Sequence, residues 1–190
     1  MKKLITEIKN CRICEEHLDA GCNPVFSIHP ASKIVIIGQA PGRIVHESGI
    51  PWDDKSGDNL RKWLNVSKEE FYTPTLFSII PMGFCYPGTG KSGDLPPRKE
   101  CAPQWHLSLF NFLTEVKLTL LVGQYAQKYY LQKKVKRNLT ETVRNYADYL
   151  PQFLPLPHPS PRNNIWMKKN PWFAKDLLPE LSTIIAQLKK

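Results

Sequence analysis

The sequence predicts an α/β fold in which helices cover both faces of a parallel sheet, a doubly wound arrangement. Segments with the apolar pattern of buried strands alternate with segments of helical pattern along the chain. The clearest strand is the Ile-Val-Ile-Ile run at 34–37, which lacks polar alternation and is therefore typical of a strand buried on both faces. Motifs rich in Gly, Pro or polar residues follow the predicted strands, and parallel strands bring such motifs to one sheet edge.

The first half of the chain contains two predicted strands joined through a helix. The helix over 56–64 has its apolar residues on one face, and either Ser56 or Asp58 is a suitable N-cap. The predicted elements are a helix over 2–10, a strand over 34–38, a polar loop over 43–55, the helix to about Leu64, and a strand over 76–80.

The second half begins with a long Gly/Pro-rich loop over 81–97, and loops of this length inside compact domains are either functional or disordered. The last helix starts near Pro171, where proline is tolerated, and is expected to be disturbed at Pro179. The other predicted elements are helices over about 100–115, 124–132 and about 140–149, and strands over 118–122 and 153–156.

Composition is ordinary for a globular domain, with 42% apolar and 23% charged residues, and 190 residues suit one domain over 1–190. No apolar run approaches membrane-spanning length, and the Met-Lys-Lys start lacks a signal peptide's apolar core, so we expect a cytoplasmic protein. The net charge of +9 and the pI of ≈ 9.3 favour a polyanionic partner. We expect a monomer without an obligate protein partner.

Three motifs occur in a suggestive order: G-Q-A-P-G at 38–42, G-I-P-W at 49–52 and H-P-S-P-R-N at 158–163. Together they resemble the uracil-DNA glycosylase superfamily, and in particular its thermophile-type branch, which carries an iron–sulfur cluster. The resemblance covers the chain from about Cys11 to the last helix. It implies a three-layer α/β/α sandwich around a four-stranded parallel sheet. It also implies a monofunctional DNA glycosylase that removes uracil or a related deaminated base from DNA in base-excision repair.

Five cysteines in a chain expected to be cytoplasmic are free thiols or metal ligands rather than disulfides. The spacing Cys11-x2-Cys14, followed by Cys85 and Cys101, is similar to the four cluster ligands of the thermophile-type branch. The resemblance therefore implies a 4Fe–4S cluster on these residues, with zinc as the alternative for four thiolates. Cys22 has no counterpart in that pattern.

The resemblance also assigns roles to residues of the base pocket. His158 is expected to hydrogen-bond O2 of the departing base, and Trp52 to stack on the flipped base. The alternatives are a histidine that shapes a proline-rich loop and a tryptophan of the core. In the segment after the first strand, Gly38, Ala40 and Gly42 are predicted to bind the base and Gln39 to take part in catalysis.

Two positions depart from the family pattern. Ala40 stands where the classical uracil enzymes have a water-activating Asp; Asp53 and Asp54 are the candidates to supply that charge, or are solvated, and we select Asp53. Pro81 stands where the thermophile-type branch has an Asn that reads the edge of uracil. Because Pro81 offers no side-chain hydrogen bond, the base specificity and the activity itself stay open.

Arg162, with Ser160 and Asn163, lies where the family's loop enters the duplex and grips phosphate. Lysines 168–169 and the basic run over 133–137 either add phosphate contacts or form a solvated surface. Two other functions remain as alternatives: a catalytically silent protein that binds damaged DNA, and an enzyme that hydrolyses free nucleosides.

Overall fold

The computed structural model describes residues 1–91 and 93–189 and contains a four-stranded parallel sheet between two layers of helices. A two-stranded antiparallel hairpin lies outside this sheet. In chain order the helices and strands are α1 (Lys2–Lys9), β1 (Ile34–Ile37), α2 (Arg43–Ser48), α3 (Lys55–Leu64), α4 (Lys68–Phe71), β2 (Phe77–Ile79), β3 (Thr89–Gly90), β4 (Gly93–Asp94), α5 (Cys101–Phe110), β5 (Leu118–Val122), α6 (Gln124–Leu131), α7 (Leu139–Arg144), β6 (Phe153–Leu156), α8 (Asn164–Lys169) and α9 (Leu178–Leu188).

The strands are arranged in the order β2-β1-β5-β6, and all neighbours are parallel. Ile34 at the start of β1 is level with Phe77 of β2 on one side and with Leu118 of β5 on the other. The chain therefore leaves β1 towards β2 and later returns to the opposite side of β1. At such a switch point the loops after β1 and β5 diverge and leave a crevice beyond the carboxyl ends of the strands.

Two hydrophobic cores lie on opposite faces of the sheet, because successive side chains of a strand alternate between its faces. Ile34 and Ile36 of β1 belong to one core, which α3 and α9 cover. Val35 and Ile37 belong to the other, which α1, α5 and α6 cover. These four side chains are all fully buried, which explains the absence of polar alternation in β1. The predicted three-layer α/β/α sandwich around a four-stranded parallel sheet is confirmed.

The prediction of a polar loop over 43–55 is wrong in its first half, where α2 forms. This helix buries Val45 and ends at Gly49, whose φ of 70° is the left-handed conformation typical of a helix C-terminus. The N-cap of α3 is Asp54, which accepts a hydrogen bond from the Gly57 N–H at 2.8 Å. The predicted caps, Ser56 and Asp58, both lie inside the helix.

Three further short elements were absent from the prediction. Helix α4 begins with a capping box, in which Ser67 and Glu70 each accept from the other's backbone N–H. The β3–β4 hairpin lies within the predicted 81–97 loop, and α8 follows the H-P-S-P-R-N motif. The predicted helix over 100–115 is too long, since α5 ends at Phe110.

The C-terminal helix is disturbed before Pro179 rather than at it. A π-helical turn over Phe173–Leu177 precedes α9, and Pro179 occupies the first turn of α9, where it is tolerated. None of the helices in the described ranges is long and apolar enough to cross a membrane.

Candidate functional site

A cavity of about 560 Å³ opens at the carboxyl edge of the sheet. Its walls come from the loop after β1 and the start of α2, the segment that leads into α3, the β3–β4 hairpin and the loop after β6, with Val25, Ile79 and Pro81 completing the lining. Asp53 and Asn163 are not among the residues that line it. The predicted site residues on its walls are Gly38, Gln39, Ala40, Gly42, Trp52, His158, Ser160 and Arg162.

The loop after β1 is anchored from behind by backbone hydrogen bonds. The Gly38 carbonyl accepts from the Met82 N–H at 2.9 Å, and the Gln39 carbonyl accepts from the Gly83 N–H at 3.0 Å. The side-chain amide of Gln39 donates to the carbonyl of Leu95 at 3.1 Å. Because Leu95 directly follows β4, Gln39 ties the loop after β1 to the hairpin on the opposite wall.

Trp52 is held mainly through its backbone, in a left-handed conformation with a φ of 59°. Its carbonyl accepts from Nη1 of Arg61 at 3.2 Å, and a Cβ on Gly57 would lie only 1.7 Å from that carbonyl oxygen. Its indole covers Gly38, where an added Cβ would lie 2.8 Å from Cζ2 of the ring. The indole and the His158 imidazole have centroids 5.7 Å apart, which is direct ring contact. A planar ligand could therefore lie beside this pair of rings but not between them.

His158 is partly buried, and its loop is fixed by side-chain amides. Asn163 Nδ2 donates to the His158 carbonyl at 2.6 Å, and Asn59 Nδ2 donates to the Pro159 carbonyl at 2.9 Å. Among the described residues, neither ring nitrogen of His158 has a hydrogen-bond partner. Burial lowers the pKa of His158, and the charge of Asp54 opposes that shift. The imidazole is therefore neutral near neutral pH and has one N–H to donate.

Asp53, predicted to supply the water-activating charge, does not line the cavity and pairs with Lys68 at 3.1 Å. The adjacent carboxylate, Asp54, lines the cavity, and one of its oxygens caps α3 through the Gly57 N–H. Of the two candidate aspartates, Asp54 is therefore the one on the cavity wall. It is also the N-cap of α3, a detail that the sequence does not specify.

Asp94, at the end of β4, is a cavity residue that the sequence analysis missed. Its Oδ2 lies against the loop after β1, 3.3 Å from where a Cβ on Gly42 would be. Asp94 is exposed, and partial desolvation of its carboxylate raises the pKa of Asp94; the charge of Arg162 opposes this shift and that of Asp54 adds to it. The only signal in the sequence is an acidic residue in a Gly/Pro-rich loop.

Basic residues lie at the mouth of the cavity and farther out. Arg162 is exposed and lines the cavity, and its N–H donates to Ser160 Oγ at 3.3 Å within a short turn. Lysines 168–169 are exposed at the end of α8. Within the 133–137 run, Lys136 pairs with Asp148 at 2.7 Å, so this charge is partly neutralised.

The four cysteines of the predicted cluster come from the N-terminal segment and from the 81–101 region. The thiol of Cys101 is close enough to interact electrostatically with those of Cys14 and Cys11. The thiol of Cys85 interacts in the same way with those of Cys101, Cys22 and Cys11. Burial raises the pKa of Cys85 to about 12 and that of Cys101 to about 11. Within 1–91 and 93–189, no group of three or more His, Cys, Asp or Glu side chains forms a site for a metal ion. Four neighbouring thiols are nevertheless a donor set that suits iron–sulfur chemistry.

Behind the cavity, a buried histidine holds the backbone of Pro81, which is also a cavity residue. His106 of α5 is 2% exposed; its Nε2 bonds the Pro81 carbonyl at 3.1 Å and its Nδ1 the Tyr130 hydroxyl at 2.6 Å. Because a carbonyl can only accept, Nε2 carries the proton and Nδ1 accepts from Tyr130. Burial lowers the pKa of His106 to about 4.

The chain matches the model of a known protein family. The family model described as Uracil DNA glycosylase superfamily matches residues 26–182. This range includes the residues that line the cavity, except Val25, together with Cys85 and Cys101, whereas Cys11 and Cys14 precede it.

Proposed function

The chain belongs to the uracil-DNA glycosylase superfamily, and from that premise we propose that it hydrolyses the N-glycosidic bond of a deaminated base flipped out of DNA. Uracil or a related lesion is the substrate, and base-excision repair is the process served. The observation that carries the proposal is the convergence of Trp52, the 38–42 loop and His158 on one cavity.

The chemistry needs a surface for the flipped base and a donor for the charge that develops on it. The exposed part of the Trp52 indole offers a stacking surface, and base–aromatic stacking is worth about 1–3 kcal/mol. The neutral His158 imidazole has an N–H that no described residue uses, so this donor is free for the departing base. Such a preorganised donor stabilises the base as the C1′–N bond breaks.

The positive charge of the protein favours the binding of DNA, which is a polyanion. The protein carries a net charge of +9, and Arg162 lies at the mouth of the cavity. Cationic side chains at that position attract phosphates next to the flipped nucleotide, and such contacts make binding dependent on salt.

The test is incubation of the purified protein with oligonucleotides that contain uracil, hypoxanthine or xanthine. Strand cleavage after alkali, lost in His158→Ala and kept in His17→Ala, supports the proposal. His17 is the control because it is exposed and does not line the cavity. Absence of base release from all three substrates contradicts it.

A second function is favoured by one specific observation: Pro81 and Ala40 both line the cavity, and neither side chain can hydrogen-bond a base or activate water. A catalytically silent protein that binds damaged DNA would show salt-dependent binding without cleavage in the same experiment.

We also propose that Cys11, Cys14, Cys85 and Cys101 bind a 4Fe–4S cluster. The mutual charge interactions of these thiols and the softness of the donor set support this assignment. Such a cluster would tie the N-terminal segment to the 81–101 region, which is a structural role. Brown protein with stoichiometric iron and sulfide supports the cluster, whereas colourless protein that contains zinc supports the alternative.

A further inference from the structure

The proposed hydrolysis requires a group that activates water, and the obvious positions do not supply it. Ala40 has only a methyl group, and Asp53 pairs with Lys68 outside the cavity. Asp54 lines the cavity, but its Oδ1 is engaged in capping α3 at 2.8 Å. The remaining carboxylate on the cavity walls is Asp94.

The position of Asp94 is set by the hairpin that carries it. Asp94 pairs with Thr89 in the β3–β4 ladder, and the Leu95 N–H donates to the Gly88 carbonyl at 2.9 Å. The Gln39 amide then fixes the Leu95 carbonyl at 3.1 Å. The carboxylate is thereby brought against the loop after β1.

The hairpin makes close approaches at two points, while Asp94 itself is exposed. Oδ2 of Asp94 lies 3.3 Å from the position of a Cβ on Gly42, and a Cβ on Gly93 would lie 2.8 Å from Nη1 of Arg162. Because neither position carries a Cβ, Gly42 leaves room for the carboxylate of Asp94 and Gly93 leaves room for the guanidinium of Arg162. Within the described part of the chain, no hydrogen bond occupies the Asp94 carboxylate, which leaves it available to water.

We propose that Asp94 is the general base of the reaction and that Gln39 is the residue that positions it. This inference rests on the proposed glycosylase function. The carboxylate of Asp94 takes a proton from water while the water oxygen bonds to C1′ of the deoxyribose. The C1′–N bond breaks, and its electron pair leaves with the base, which His158 stabilises by its N–H. Asp94 then returns the proton through solvent to the departed base.

The pH dependence of the rate is a readout that a purely structural role would not change. The groups that face Asp94 are Arg162, which favours its ionised form, and Asp54, which opposes it. Desolvation raises the pKa of Asp94. On acidification the rate is therefore expected to fall at a higher pH than it would with an aspartate of ordinary pKa as the base. Burial lowers the pKa of His158, and because this residue is kept in every variant compared, a change in the pH profile reports on Asp94.

The experiment compares single-turnover base release by the wild type, Asp94→Asn and Asp53→Asn across a range of pH, on the oligonucleotide that the wild type cleaves. We expect Asp94→Asn to lower the rate by about 10²-fold and to remove the part of the acid limb that titration of Asp94 produces. DNA affinity and the unfolding temperature are expected to stay unchanged. Asp53→Asn is the matched control and is expected to keep both rate and pH profile.

The role of Gln39 is tested by a double-mutant cycle. Gln39→Ala is expected to lower the rate about tenfold in the wild type and to have no further effect in Asp94→Asn, because both act through one group. Equal losses in both backgrounds overturn the positioning role. An unchanged rate and pH profile for Asp94→Asn overturns the role of Asp94 while the glycosylase function stands. A wild type that releases no base overturns the glycosylase function and this inference with it.

Discussion

Two histidines near the same edge of the sheet have opposite surroundings, although burial lowers the pKa of both. His106 is fully enclosed, and both of its ring nitrogens are engaged, with the Tyr130 hydroxyl and the Pro81 carbonyl. His158 lines the cavity, and no described residue bonds its ring nitrogens. Unused hydrogen-bonding capacity, rather than burial or pKa, therefore distinguishes the histidine that we propose to bind ligand from the one that maintains structure.

The largest expected effect concerns the histidine in the cavity. His158→Ala is expected to lower the rate of base release about 10²–10³-fold, because it removes a donor aimed at the developing charge. Its unfolding midpoint in urea is expected to stay near that of the wild type, because the ring satisfies no buried partner. A full rate with a lowered midpoint would reverse the assignment of the two histidines.

His106→Leu is expected to show the opposite pattern. The Pro81 carbonyl and the Tyr130 hydroxyl lose their partner, and each buried unsatisfied group costs about 1–3 kcal/mol, so the free energy of unfolding falls by about 2–3 kcal/mol. Urea unfolding measures this loss, and base release by the folded protein is expected to stay within a few-fold of the wild type. Tyr130→Phe, which removes one of the two bonds, is expected to cost about 1 kcal/mol.

Gly38→Ala tests whether the cavity that His158 lines depends on the close packing of the Trp52 indole over Gly38. The new Cβ would lie 2.8 Å from the Trp52 ring and displace the indole. We expect base release to fall about tenfold, which corresponds to the free energy of stacking one base on an aromatic ring. Trp52→Phe in the same chain removes the clashing part of the ring and is expected to restore part of the rate. A rate that the double variant does not improve would indicate a cause other than this contact.

The smallest effect is on stability as a function of pH. The pKa of His106 is lowered from 6.5 to about 4 in the folded state, so between these values the unfolded state binds the proton more readily. Stability therefore falls as the pH falls through this window, by about 1 kcal/mol between pH 6 and 5. Urea unfolding at several pH values should show this loss in the wild type and a smaller one in His106→Leu. Parallel curves for the two proteins would contradict it.

The sheet could be predicted from the sequence because its strands are buried on both faces and read as apolar runs. The bounds of β5 and β6 agree with the prediction, and β1 differs only by excluding Gly38. Short elements could not be predicted in this way, since they depend on caps and tertiary contacts rather than on periodicity. For α4 the Ser67 and Glu70 capping box was a usable signal.

Within the candidate site, glycines and aromatic residues in motifs were easier to predict than carboxylates. Trp52 and His158 were identified through their motifs, and the structure brings them into contact. The choice between Asp53 and Asp54 depends on how α3 is capped, and the approach of Asp94 depends on the hairpin. Both are three-dimensional facts that no local pattern records.

The way in which Trp52 is held has a consequence for how such a pocket changes over evolutionary time. Arg61 donates a hydrogen bond to the carbonyl of Trp52, and this carbonyl packs against Gly57, which has no Cβ. Neither contact involves the indole. A single codon change can therefore exchange the ring without rerouting the main chain. Residue 52 is thus a position at which selection, or a protein engineer, can widen or narrow the range of bases that the proposed pocket accepts.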